Sequence, residues 1–158
     1  MTNLRVNEKA PLFKSVDQEG NKITSENLLG KKVALYFYPK NNTPGCTAQA
    51  CNLRDNYEIL KENDITIIGI SADDSDSHLK FIDKLEIPFP LIPDTDHKLI
   101  NRFGVWGPKK FMGKEYEGIH RTTFLLDENG LIIDIILKPK TKDHAAEILE
   151  SFEKLNNN

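Results

Sequence analysis

Val33-Ala34-Leu35-Tyr36-Phe37-Tyr38-Pro39-Lys40-Asn41-Asn42-Thr43-Pro44-Gly45-Cys46-Thr47-Ala48-Gln49-Ala50-Cys51 reads as a strand, a short loop and the start of a helix. The first six residues are a continuous apolar run, as expected of a strand buried on both faces, and Pro39 stops it. Thr43 is a helix-capping residue type, and a proline suits the first helical position. Beyond it Cys46, Ala50, Leu53, Tyr57 and Leu60 recur at spacings of four, three, four and three, which turns one helical face toward a core.

Upstream, Leu12–Val16 and Lys22–Thr24 flank the turn-rich segment 17–21, a hairpin signal. Ser25 has the chemistry to cap a short helix ending at Gly30. Downstream, Ile65–Ser71 is a second apolar strand. A helix is expected over 75–85, with Asp73, Asp74 and Asp76 at its electropositive start. Leu91-Ile92 reads as a short strand and 98–103 as a short helix, while 104–119 is left as a loop. Thr122–Leu126 and Leu131–Ile136 flank Asp127-Glu128-Asn129-Gly130, a second hairpin signal. A last amphipathic helix carries Ala145, Ile148, Leu149, Phe152 and Leu155. Strands alternate with helices and an antiparallel pair closes the sheet. The expected class is α/β, a central mixed β-sheet flanked by helices with an N-terminal β-hairpin.

At 158 residues the chain is expected to form one domain over 1–158. With 39% hydrophobic and 28% charged residues it resembles an ordinary globular protein. A net charge of −3 without a basic run argues against nucleic-acid binding. No apolar stretch has the length of a membrane span, and the first residues lack a signal-like core, so a cytoplasmic protein without membrane attachment is expected. The two cysteines are too few for a disulfide scaffold, and the four histidines are scattered, so no metal site is expected. In a reducing compartment, a nearby cysteine pair is more often transient and catalytic than structural.

Cys46 falls in the first turn of its helix, where backbone N–H groups lack intrahelical partners and the dipole favours a thiolate, the nucleophilic form. A fixed cation serves better than a base here, and arginine offers its donors in a fork. Arg121, at the start of the Thr122–Leu126 strand, is the chosen partner. Arg54 lies off the Cys46 stripe and either orients Arg121 or faces solvent. With a peroxide as substrate, charge moves from sulfur onto two oxygens. The Cys46 N–H, the Thr43 hydroxyl and Arg121 are the donors expected there. Cys46 becomes a sulfenic acid. In an intact helix, Cys46 and Cys51 have Cα atoms roughly 8–9 Å apart. A disulfide needs about 4.4–6.8 Å, so bonding requires the helix start to unwind.

These residues resemble the peroxiredoxins. The motif Pro39-x-x-x-Thr43-x-x-Cys46 matches that superfamily's active-site signature, and Gln49 stands where many members carry glutamate or glutamine. The blocks Tyr36–Lys40, Thr43–Thr47 and Gln49–Cys51 resemble the bacterioferritin comigratory protein (peroxiredoxin Q) subfamily. So do Phe103–Gly107, Phe111–Lys114 and Gly118–Arg121. The resemblance runs from about Ala10 to the last helix. It implies a thioredoxin-like fold, Cys46 as peroxidatic cysteine, Cys51 as resolving cysteine within one chain, and Thr43 and Arg121 as substrate-polarising groups. It also implies Pro39 as a shield for the sulfur, with Gln49 beside it in the substrate pocket. No cofactor is implied. Thioredoxin or glutaredoxin is the implied reductant, and the implied state is a monomer. Trp106 reads as a packing residue or a shield at the site rim. A thioredoxin-type reductase would instead carry Cys-x-x-Cys, and four residues separate the cysteines here. A peroxide sensor or thiol-switched binding protein without turnover is the alternative.

Overall fold

The structure, a computed structural model, describes residues 2–156. The segment that opens the sequence analysis forms β3 (Lys32–Phe37), a loop, and α1 (Pro44–Asp55). The N-terminal hairpin is β1 (Lys14–Val16) paired antiparallel with β2 (Lys22–Thr24). After α1 come α2 (Tyr57–Glu62), β4 (Ile65–Ser71), α3 (Ser75–Leu85), β5 (Leu91–Pro93) and α4 (Lys98–Arg102). Two further strands, β6 (Trp106–Phe111) and β7 (Lys114–Ile119), precede β8 (Thr122–Leu126), β9 (Ile132–Ile136) and α5 (His144–Asn156).

The central sheet has five strands in the order β5-β4-β3-β8-β9. β5, β4 and β3 run parallel, and β8 and β9 are antiparallel to their neighbours. This is the mixed sheet of a thioredoxin-like fold. Strand alternation sorts the core into two layers. Val33, Leu35, Phe37, Ile68, Ile70, Phe124 and Leu126 face the β1-β2 hairpin and α4. Ala34, Tyr36, Tyr38, Ile65, Ile67 and Leu125 face α1, α2, α3 and α5. The helices supply Cys46, Ala50, Leu53, Leu60, Phe81, Ile148 and Phe152 to that second layer. Each buried Val, Leu, Ile or Phe side chain among them contributes about 1.5–3 kcal/mol by leaving water.

Three local expectations are corrected. No helix follows Ser25; its hydroxyl bonds both the N–H and the carbonyl of Phe13, which ties the hairpin's two arms together and leaves 25–30 in turns. The apolar stripe from Cys46 to Leu60 spans two helices, because the chain breaks at Asn56, whose side chain donates back to the Asn52 carbonyl at 2.8 Å. The segment expected as a loop over 104–119 is an antiparallel arm, with Trp106 opposite Ile119 and Phe111 opposite Lys114. Met112 and Gly113 turn it with φ of 50° and 80°, the left-handed values a two-residue hairpin turn requires. Most arm side chains face water, so it lacks the apolar alternation that marks a half-buried strand.

Candidate active site

Cys46 is the third residue of α1, and its side chain is 2% exposed. Its sulfur accepts a hydrogen bond from Arg121 Nη2 at 3.3 Å. Register explains the meeting. Phe37, the last residue of β3, pairs with Thr122, the first of β8, so Arg121 stands where β3 gives way to the loop leading into α1. Gly45 makes room for it: a Cβ there would stand 3.0 Å from Arg121 Nη2.

Gln49 lies one helical turn beyond Cys46 on the same face. Its Oε1 accepts from Arg121 Nη1 at 2.6 Å, so the guanidinium fork spans Cys46 and Gln49 together. Gln49 is fully buried. Its Nε2 and the Tyr36 hydroxyl find no hydrogen-bond partner among the described residues. Burial pushes the Tyr36 phenol well above its ordinary range. Negative charge on Cys46 pushes it the same way and Arg121 opposes it, so the hydroxyl stays protonated.

Thr43 occupies the N-cap position in extended conformation, but its side chain makes no cap bond. Its backbone carbonyl accepts the Thr47 N–H at 2.9 Å, and its hydroxyl donates to the Lys40 carbonyl at 2.8 Å. The one hydroxyl hydrogen is thus committed within the loop, and the oxygen keeps lone pairs for an incoming O–H. A buried polar cluster anchors this loop. The Asn41 N–H donates to Asp73 Oδ2, its amide donates to Ser77 Oγ and reaches His78 Nδ1 at 3.0 Å, and its Oδ1 accepts from the Tyr38 hydroxyl at 2.7 Å. Pro39, beside it, is half-buried.

Cys51 is a half-buried free thiol near the middle of α1. Arg54 neither orients Arg121 nor stands free. It pairs with Asp55 at 2.9 Å and donates to the Leu85 carbonyl at 2.7 Å, bridging α1 to the end of α3. Trp106 is half-buried against His97, their rings 4.5 Å apart. Sequence reasoning missed Lys109. It reaches from the arm across Gly118 to the Ile119 carbonyl at 2.9 Å. Burial pushes its ammonium down, Arg121 adds to the shift, and negative charge on Cys46 opposes it. Its signal was hidden in the unassigned 104–119 segment.

The arrangement can hold negative charge on a buried sulfur and on an oxygen beside it, since a fixed guanidinium and helix-start N–H groups converge there. The chain's likeness to known proteins agrees with that chemistry. Residues 6–135 match the model of the AhpC/TSA family. A Haemophilus influenzae protein named putative peroxiredoxin bcp is 44% identical over 98% of this chain and 100% of its own. The Bacillus subtilis peroxiredoxin Bcp is 44% identical over 95% of this chain and 96% of its own. A solved structure of the Xanthomonas campestris bacterioferritin comigratory protein superposes with a TM-score of 0.84 at 28% identity, covering 98% of each chain. Full-length similarity at this level means that the chain, with its buried cysteine under a forked arginine, belongs to the AhpC/TSA family and, within it, to the Bcp/peroxiredoxin Q peroxiredoxins.

Proposed function

We propose that this peroxiredoxin peroxidase reduces hydrogen peroxide and organic hydroperoxides through Cys46, with Cys51 resolving the product. The observation that carries the reading is the 3.3 Å bond from Arg121 to the Cys46 sulfur, buttressed by Gln49. The Xanthomonas campestris relative has alkyl peroxide reduction activity, which supports the substrate class.

The Cys46 thiolate attacks one peroxide oxygen in line. The S–O bond forms as the O–O bond breaks, and the leaving hydroxide or alkoxide takes a proton to become water or an alcohol. The Thr43 oxygen accepts the peroxide O–H, while Arg121 and the Cys46 N–H stabilise the charge spreading over both oxygens. Pro39 and the loop behind it limit water at the sulfur. Unwinding of α1 then lets the Cys51 thiol attack the sulfenic sulfur. The S–S bond forms and water leaves. Thioredoxin or glutaredoxin, each a dithiol donor, returns both cysteines to thiols.

The test is peroxide consumption by the reduced protein with thioredoxin, thioredoxin reductase and NADPH. Many turnovers per chain are expected, and none for Cys46→Ser, because a serine hydroxyl is too poor a nucleophile here. One stoichiometric event per chain, with glutaredoxin also inactive as donor, would point to a peroxide sensor.

A further inference from the structure

Helix α5 begins at His144, so the N–H groups of its first turn have no partner within the helix. One of them, the Ala145 N–H, donates to Asn52 Oδ1 at 2.8 Å. The Asn52 amide nitrogen donates in turn to the Lys142 carbonyl at 2.9 Å. A single side chain from α1 therefore brackets residues 142–145 and caps α5 from outside. The same loop passes the other end of the site, where the Thr141 methyl lies 3.9 Å from the point a Gly45 Cβ would occupy. Asn52 directly follows Cys51, the last residue of the segment whose unwinding the disulfide requires.

We propose that Asn52 is a positioning residue, a latch that holds α1 wound against α5 and sets how fast Cys51 reaches the oxidised Cys46. The inference rests on Cys51 being the resolver. Residues 46–51 cannot stay helical and form the disulfide. Once they unwind, the N–H groups of 52–55 lose the carbonyls of 48–51, and the one remaining turn is too short to persist. The Asn52 backbone then moves, and its side-chain bonds to the first turn of α5 and to the Lys142 carbonyl just before it both break. The bond changes themselves need nothing from Asn52. The Cys51 sulfur attacks the Cys46 sulfur, the S–S bond forms, the S–O bond breaks, and the oxygen leaves as water with the Cys51 proton. The latch acts only on the opening that comes before.

Asn52→Ala removes both bonds. It is expected to speed disulfide formation by about three- to thirtyfold after one equivalent of peroxide, followed by rapid quenching and thiol alkylation. Sulfenic acid formation should keep its rate. Less sulfinic acid should accumulate at high peroxide, because the sulfenic acid meets a second peroxide less often. Asn52→Asp keeps the acceptor for the Ala145 N–H and should return most of the way to wild type. A merely structural loss would lower the melting temperature without moving this partition. Disulfide formation in Asn52→Ala at the wild-type rate or slower overturns the latch. Hydrogen exchange on the wild type tests it without any variant: the Ala145 amide should be protected in the reduced protein and exchange faster in the disulfide form, and equal protection overturns the latch. Absence of any Cys46–Cys51 bond in the oxidised wild type is a separate result, which overturns the resolver reading and the latch with it.

Discussion

Arg121 does two things with one planar group, and only an arginine can do both. Its two terminal nitrogens reach Cys46 and Gln49 at once, while a lysine would offer a single point charge. Arg121→Ala is expected to slow sulfenic acid formation roughly 10²–10³-fold, measured by rapid mixing with limiting peroxide, as for loss of an oxyanion donor. A loss under about twofold would move that role elsewhere. Gly45→Ala is a subtler probe, because its Cβ would press on Arg121 Nη2 from 3.0 Å. It should slow the same step while leaving the fold intact, and an unchanged rate would mean that the guanidinium position is not critical. At this scale much was legible. Threonine, proline and cysteine at a helix start, and one arginine ahead of a central strand, announce the pairing of Arg121 with Cys46. The direction of the Thr43 hydroxyl was not legible, because a loop carbonyl and a helix N–H compete for it and only the loop's three-dimensional path decides. Lys109 was hidden for a similar reason: what brings it near the site is the arm's pairing, which leaves no hydrophobic pattern.

Elements differ in how loudly they speak. β3 and β4, mostly apolar because both faces are covered, were plain in the sequence, and so was α3, whose Asp74 accepts the Ser77 N–H at 2.8 Å. The break at Asn56 was not, since the apolar spacing continues through it into α2. The β6-β7 arm, rich in lysine and glutamate, is held by its backbone ladder and carries no such signal. The close contact between β3 and β4 rests on one small residue. A Cβ on Gly69 would lie 2.6 Å from Leu91 Cδ2 and 2.9 Å from Tyr36 Cζ. Gly69→Ala is therefore expected to cost about 1–3 kcal/mol in urea unfolding. A stability equal to wild type would mean that the Tyr36 ring shifts freely, which its packing between Tyr38 and Phe89 opposes.

Over the whole molecule, two of the four histidines are fully buried, His78 beside the loop before α1 and His144 at the start of α5. Burial pushes both below the ordinary 6.5, and for His144 the Glu147 carboxylate pulls the other way without overcoming it. The unfolded chain takes up protons at these sites as pH falls below about 6.5, whereas the folded chain does not until lower pH. Their contribution is complete above that value and shrinks as pH falls, by at most about 1.4 kcal/mol per pH unit for each histidine. The urea midpoint should drop between about pH 7 and 5, and a flat profile would contradict the assigned burial. Among the described residues no helix is long and apolar enough to cross a membrane. The central claim is that a buried Cys46 is oxidised and then captured by Cys51 from its own chain. The most direct test is intact-mass analysis and non-reducing peptide mapping after one equivalent of peroxide. The account predicts loss of the two thiol hydrogens and a peptide bridged from Cys46 to Cys51 within a single chain. A lasting gain of one oxygen at Cys46, with Cys51 still open to alkylation, would contradict it.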